Sequence, residues 1–201
     1  MSKPPEYNYL LPPKECEVMY RILGRKPTMD PCGHPDQFLE ADKIYYGTGT
    51  DDDGMLVPWT QPGGEPGFVV LNASHGERAP KVQPNFAWYP LSRWIMKASA
   101  EAQKGSTIIA PLPANTDRTW FHAQVTEYSA SICFLEKRLK FFAPDYETGG
   151  PPKELPQPMV PHMYVLWTKD KDVFERFYQE LGARDANGGR LGFVTEPNPV
   201  E

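Results

Sequence analysis

The chain has 201 residues and a formal net charge of −5 at neutral pH, and 40% of its residues are hydrophobic. This length suits one compact domain with a sizeable core, and the hydrophobic fraction excludes a disordered chain. The acidic balance excludes a general binder of polyanions, so any contact with nucleic acid must come from a local basic face. The 23 prolines, about twice the usual share, predict a domain rich in ordered loops.

The cysteines and histidines argue against metal and disulfide sites. The three cysteines are widely separated and form no CxxC pair: Cys16, Cys32 and Cys133. The four histidines lack the spacing of metal ligands: His34, His75, His122 and His162. Residues 1–5 contain no apolar signal core, and no apolar run approaches the ~18 residues that a membrane helix needs. We therefore expect a cytoplasmic protein with no metal and no membrane partner.

Hydrophobic periodicity and turn residues predict the elements in chain order. The amino-terminal half begins with an extended arm over 1–13, a helix over 14–23, the end of a short strand over 28–33, and strands over 43–46 and 68–71. A helix over 91–102, a strand over 107–113, a helix over 119–127, strands over 131–135 and 163–167, and a helix over 172–181 follow. Apolar strands that alternate with helices predict an α/β domain with a mostly parallel sheet.

We place this domain over 1–182. The segment 183–201 is rich in Gly, Asn and Pro and is predicted to be a loosely structured tail. The Pro-rich segment 149–161 is predicted to be one long loop, a kind of segment that is often functional in compact domains.

The strand predicted over 68–71 ends in the polar tetrapeptide Asn72-Ala73-Ser74-His75. In parallel sheets, the carboxyl ends of the strands are where ligands bind and where chemistry is usually placed. The tetrapeptide is therefore the first candidate site.

Six short motifs flank this site. They read Leu11-Pro12-Pro13, Asp30-Pro31-Cys32, Asp53-Gly54-Met55 with Pro58-Trp59, Trp94-Ile95-Met96-Lys97-Ala98 with Glu101-Ala102 and Gly105, Leu112-Pro113-Ala114-Asn115-Thr116-Asp117 with Trp120-Phe121-His122, and Lys137-Arg138-Leu139-Lys140-Phe141. Their shared order and spacing over 6–168 resemble the phage-type DNA adenine N6-methyltransferases, small S-adenosylmethionine-dependent enzymes commonly encoded in phages and prophages.

The resemblance implies a Rossmann-like, S-adenosylmethionine-dependent methyltransferase fold, with DNA as the partner. It implies that S-adenosylmethionine is the cofactor and that residues of the first three motifs hold it: Pro12, Asp30, Cys32 and Asp53. If the protein is phage-encoded, the resemblance implies that it is located in the cytoplasm of a bacterial host cell.

The family's central motif is Asn/Asp-Pro-Pro-Tyr/Phe, which Asn72-Ala73-Ser74-His75 replaces in this chain. Its carboxamide oxygen and a main-chain carbonyl accept hydrogen bonds from the exocyclic amine of adenine, and its aromatic ring stacks on the base after flipping. By resemblance, Asn72 and the Ala73 carbonyl orient the amine, and His75 packs on the base. The sulfonium is already an activated donor, so positioning and electrostatics provide most of the catalysis.

The altered motif leaves two other functions open. One is a catalytically inactive DNA- or protein-binding module, and the other is an enzyme that adds a different group to the same amine. Structural interpretations of single residues are also open. Asn72 suits a turn at a strand end, and Asp30 suits a turn before Pro31. Asp53 suits a solvated acidic loop over 51–53, and calcium binding there is disfavoured because the full ligand pattern is missing. His75 suits a plain loop position.

Basic and apolar residues alternate over 137–141. We predict that basic side chains contact DNA phosphates there: Lys137, Arg138, Lys140 and Arg118, with Lys97 beside them. An ordinary solvated strand edge is the alternative. Three aromatic residues in predicted helices are expected to anchor the core: Trp94, Trp120 and Phe121.

Overall fold

A computed structural model describes residues 9–47, 50–73, 89–145, 147–156, 160–182, 192–198 and 200. Its helices are α1 Pro13–Leu23, α2 Leu91–Gln103, the π-helix Phe121–Thr126 and α3 Lys171–Leu181, with 3₁₀ turns at Thr50–Asp52 and Pro62–Gly64. Its strands are β1 Met29–Asp30, β2 Lys43–Ile44, β3 Phe68–Val70, β4 Thr107–Pro113, β5 Ser131–Leu135, β6 Phe142–Ala143, β7 Lys153–Glu154, β8 His162–Trp167 and β9 Gly192–Thr195.

Seven of these strands form one sheet in the order β2-β1-β3-β4-β8-β5-β9, and β6 pairs with β7 separately. The pairs β1–β2, β1–β3 and β3–β4 are parallel. Strand β8 runs antiparallel to both of its neighbours, β4 and β5, and β9 runs antiparallel to β5. Within the described residues, all strands of the sheet except β8 and β9 therefore run in one direction. The predicted α/β class and mostly parallel sheet are confirmed.

Helices cover both faces of the sheet, which explains the uninterrupted apolar strands. One core cluster joins α2 to the sheet and contains Val69 and Leu71. The other joins α1 and α3 to the opposite face and contains Val70 and Ile109. Successive residues from Val69 to Leu71 therefore enter opposite cores, and a polar side chain at any of these three positions would be buried.

The helix ends follow from local chemistry. Helix α1 starts at Pro13, where a missing N–H costs nothing, and ends at Gly24 with φ 71°, a conformation that favours glycine. Helix α3 starts after Asp170, whose carboxylate accepts hydrogen bonds from the N–H groups of Asp172 and Val173. Both helices occupy the ranges that periodicity predicts within one residue.

Four elements differ in detail from the sequence-based expectations. The segment 149–161 was expected to be one long loop, but it contains β7 at Lys153–Glu154, which pairs with β6. Of the strand expected over 43–46, only Lys43–Ile44 pairs, and the helix expected over 119–127 has a π-helical centre at Phe121–Thr126. The segment 183–201 was expected to be loose, yet Gly192–Thr195 forms β9 on the open edge of β5. Four residues are too few for periodicity to identify against Gly- and Pro-rich surroundings. Among the described helices, none is both long and apolar enough to cross a membrane.

Candidate functional site

The strand order reverses between β1 and β3. From β1 the chain moves outward to β2, and it then returns to place β3 on the other side of β1. In open α/β sheets, such a switch point opens a crevice at the carboxyl ends of the strands, where ligands bind. Met29 pairs in register with Val69, so Asp30 and Asn72 both lie at this edge. The structure thus brings two of the predicted site residues to the edge of the sheet where the switch point lies.

Asn72 carries a buried acceptor at the carboxyl end of β3. The Leu71 N–H donates to the Ile109 carbonyl, which extends the pairing one residue past β3 and fixes the direction of the chain before Asn72. The Asn72 Nδ2 then donates to the Tyr9 carbonyl at 2.8 Å, which identifies the other atom of the carboxamide as Oδ1. This Oδ1 is buried and has no hydrogen-bond partner among the described residues. An acceptor buried in this way costs about 1–3 kcal/mol, so its retention needs a reason.

The rest of the central motif lies only partly within the described residues. Ala73 is 1% exposed and packs in the core cluster beneath α2, so a larger side chain there would disturb the core. Ser74 and His75 lie outside the described residues, and the stacking role assigned to His75 stays a prediction.

Asp30 is fully buried at the end of β1. Its Oδ1 accepts from the Cys32 N–H at 3.0 Å, and its Oδ2 accepts from Gln37 Nε2 at 2.9 Å. Burial raises the pKa of Asp30 to about 6, and these two hydrogen bonds only partly offset it. Asp30 therefore shapes the turn that follows it, and Cys32 contributes its main chain to this turn. The turn role and a cofactor role are compatible, because the carboxylate retains further lone pairs.

Asp53 is 4% exposed, which overturns the alternative of a solvated acidic side chain. Its Oδ1 accepts from the Met55 N–H at 2.8 Å, and its Oδ2 accepts from the Tyr89 hydroxyl at 2.7 Å. The next residue, Gly54, is packed so tightly against the Pro31 carbonyl that a Cβ at this position would overlap it. The loops that carry Asp30 and Asp53 are therefore in direct contact.

Pro12 reaches the site through the amino-terminal arm. It caps α1, and its carbonyl accepts from the N–H groups of Glu15 and Cys16. Leu10 pairs with Phe142 through two main-chain hydrogen bonds of 2.8 and 3.0 Å, which hold the arm on β6. Since Tyr9 contacts Asn72, Pro12 lies only three residues along the chain from that contact.

The basic residues of the predicted DNA surface follow β4 and β5. Both strands are antiparallel to β8, so their carboxyl ends share the edge that carries Asn72. The four basic side chains of these loops are exposed: Arg118, Lys137, Arg138 and Lys140. The intervening Leu139 and Phe141 are buried, as the alternation predicts. Lys140 pairs with the exposed Glu154 at 3.1 Å, a contact worth less than about 1 kcal/mol.

Lys97 is not part of this surface, contrary to the expectation. Its Nζ binds Glu101 Oε1 at 3.0 Å and lies 5.4 Å from the ring centre of Trp59. Glu101 is 2% exposed and also accepts from Lys104 Nζ and from the Trp59 N–H. Lys97 therefore compensates a buried carboxylate. The expected core anchors Trp94 and Phe121 are buried, and Trp120 is half-buried.

Two aromatic residues of the site were not identified from the sequence. Tyr9 acts through its main-chain carbonyl, for which no side-chain pattern gives a signal. Tyr89 lies two residues before α2, and its partner Asp53 is 36 residues away. The only signal in the sequence that could have identified Tyr89 as a site residue is its position just before the start of a helix.

The opposite edge of the sheet holds a separate cleft of about 690 Å³. Its lining includes Arg25, Glu65, Phe68 and Lys169, and none of the predicted site residues. No group of three His, Cys, Asp or Glu side chains within the described part of the chain could hold a metal ion.

Comparison with known proteins identifies no relative: no family model, no curated protein and no solved structure matches the chain. Inferences about function consequently depend on the motifs and on the geometry of the crevice.

Proposed function

We propose that this protein is an S-adenosylmethionine-dependent, methyltransferase-type enzyme that modifies the exocyclic amine of adenine in DNA. The observation that carries the proposal is the Oδ1 of Asn72 at the switch point of the sheet, which is buried and has no hydrogen-bond partner among the residues that the structure describes. A Rossmann-like methyltransferase fold is part of the proposal, and the sheet order with its crevice between β1 and β3 supports it.

An acceptor at this position suits an amine substrate. The lone pair of an exocyclic adenine amine is delocalised into the ring, which makes the amine a poor nucleophile. A hydrogen bond from the amine N–H to Asn72 Oδ1 would help to localise that lone pair and orient it. Because Nδ2 donates to the Tyr9 carbonyl, Oδ1 is the atom of the carboxamide that is left to accept this hydrogen bond.

The acidic residues around the crevice fit a cationic cofactor. S-adenosylmethionine supplies a methyl group on a positively charged sulfonium when it is bound. The carboxylates of Asp30 and Asp53 are both buried, on two loops that contact each other through Pro31 and Gly54. With Pro12 and Cys32, these residues would bind and orient the cofactor and exclude water from it.

The basic side chains support DNA as the substrate. The chain is acidic overall, yet exposed arginine and lysine residues follow β4 and β5 at the edge that carries Asn72: Arg118, Lys137, Arg138 and Lys140. Phosphate contacts from such side chains fix the register of DNA without reading its sequence. A base flipped from the duplex would then enter the crevice.

The test is methyl transfer from labelled S-adenosylmethionine to DNA. We expect transfer by the unsubstituted chain and a loss of about a hundredfold or more in Asn72→Ala, the usual effect of removing one preorganised transition-state hydrogen bond. Asn72→Asp keeps an acceptor oxygen but loses the donor to Tyr9, so it should retain more activity than Asn72→Ala. Cofactor binding without transfer to any DNA would eliminate the proposal.

The replacement of the motif's Pro, Pro and aromatic residues by Ala73, Ser74 and His75 favours two alternatives. One is a catalytically inactive module that binds DNA or protein. The other is an enzyme that adds a different group to the same amine. A mass spectrum of nucleosides from DNA exposed to the protein in cells separates the three functions, which give a new methyl group, no change or a different added mass.

A further inference from the structure

Tyr89 links the start of α2 to the Asp53 loop. Its hydroxyl donates to Asp53 Oδ2 at 2.7 Å. Its ring meets Trp94 edge-on, with the ring centres 5.8 Å apart, and the Arg93 guanidinium lies 5.2 Å from the centre of the Tyr89 ring. Both contacts come from α2, so the helix fixes where the hydroxyl is placed.

The hydrogen bond determines the orientation of the Asp53 carboxylate. Tyr89 donates to one oxygen and the Met55 N–H donates to the other, so the plane of the carboxylate is restrained at both oxygens. Each oxygen keeps a lone pair in a fixed direction. The hydrogen bond to Asp53 raises the pKa of Tyr89, so the hydroxyl keeps its proton and remains the donor.

We infer that Tyr89 is a positioning residue of the cofactor site, which acts by aiming the Asp53 carboxylate at donor groups of the nucleoside part of S-adenosylmethionine. The inference rests on the proposed function, because it takes Asp53 as a cofactor ligand. Such a ligand offers hydroxyl or amine N–H donors, and a preoriented buried carboxylate binds them at a lower entropic cost than a mobile one.

Tyr89→Phe isolates the hydroxyl, since the ring can keep its contacts with Trp94 and Arg93. We expect the dissociation constant for S-adenosylmethionine, measured by isothermal titration calorimetry, to rise about tenfold in this variant. Tyr178→Phe removes a hydroxyl from a 49% exposed ring on α3 and serves as the matched control, with no expected change. Circular dichroism melting curves establish that each variant is folded.

A double-mutant cycle with Asp53→Ala separates positioning from general stabilisation. If Tyr89 acts through Asp53, the double variant binds S-adenosylmethionine no more weakly than Asp53→Ala alone. Full binding by Tyr89→Phe, or effects of the two substitutions that multiply, would overturn the inference and leave the proposed function standing. Failure of the unsubstituted chain to bind S-adenosylmethionine would overturn both.

Discussion

Two buried groups with opposite pKa shifts predict a specific pH dependence of stability. Burial raises the pKa of Asp30 from 3.8 to about 6, so the folded state retains this proton more strongly than the unfolded state does. The resulting stabilisation is present at low pH and is lost as the pH rises through 6. Burial lowers the pKa of His162 from 6.5 to about 4, so the folded state resists protonation. Stability from this group is present above pH 6.5 and is lost as the pH falls toward 4.

The magnitudes are similar and nearly cancel. Between pH 4.5 and pH 6.5, linkage with these pKa values gives a loss of about 2 kcal/mol from Asp30 and a gain of about 2 kcal/mol from His162. Both side chains are at most 2% exposed, so solvent screening discounts neither figure much. Burial also lowers the pKa of His34, so His34, like His162, makes the folded state more stable as the pH rises. Burial alone would raise the pKa of Glu101, but hydrogen bonds from two lysines and from the Trp59 N–H outweigh burial and lower this pKa. The effect of Glu101 on stability therefore falls mainly below pH 4.5.

Substitution of either group should reveal the pH dependence of stability that the other group contributes. In Asp30→Asn, the free energy of unfolding should rise by about 2 kcal/mol between pH 4.5 and pH 6.5, relative to the same change in the unsubstituted chain. In His162→Gln, it should fall by about 2 kcal/mol over the same interval. Urea denaturation at several pH values, followed by tryptophan fluorescence, measures both. The readout is the pH dependence, so a uniform loss of stability in either variant does not affect it. Curves parallel to that of the unsubstituted chain would refute the reasoning.

Three further outcomes test the packing and the DNA surface. Gly54→Ala should lower the free energy of unfolding by about 1–3 kcal/mol, because its Cβ would overlap the Pro31 carbonyl; urea denaturation checks this, and an unchanged midpoint would contradict it. Lys97→Ala should lower the free energy of unfolding by about 1–3 kcal/mol in the same assay, because buried Glu101 loses a hydrogen-bond donor. The same substitution should leave the affinity for DNA unchanged. Alanine substitution of Arg118, Lys137 or Arg138 should in each case lower the magnitude of the slope of log affinity for DNA against log salt concentration by about 0.9. Lys171→Ala, at the opposite edge of the sheet, should leave this slope unchanged.

The sequence determined the helices, the longer strands and the class of the fold. Uninterrupted apolar strands, such as Val69-Val70-Leu71, required cover on both faces, and amphipathic segments such as 91–102 supplied it. Asn72 was marked as a site residue because it directly follows a buried strand. The alternation around Leu139 and Phe141 also predicted correctly which side chains point inward. These patterns are local, so a single sequence contains them in full.

Tertiary structure alone decided which groups meet. Strand order placed Asp30 and Asn72 at one edge of the sheet. A main-chain carbonyl 63 residues from Asn72 accepts from its Nδ2, and its Oδ1 has no partner among the described residues. Asp53 proved buried because Tyr89 and the packing of Gly54 enclose it, although its neighbours in sequence read as a solvated loop. Such partners lie far apart along the chain, and their meeting depends on the closure of the whole sheet. No local periodicity encodes that closure, which is why Asn72, Asp30 and Asp53 were visible in the sequence as candidates, whereas Tyr9, Tyr89 and the geometry of the site were not.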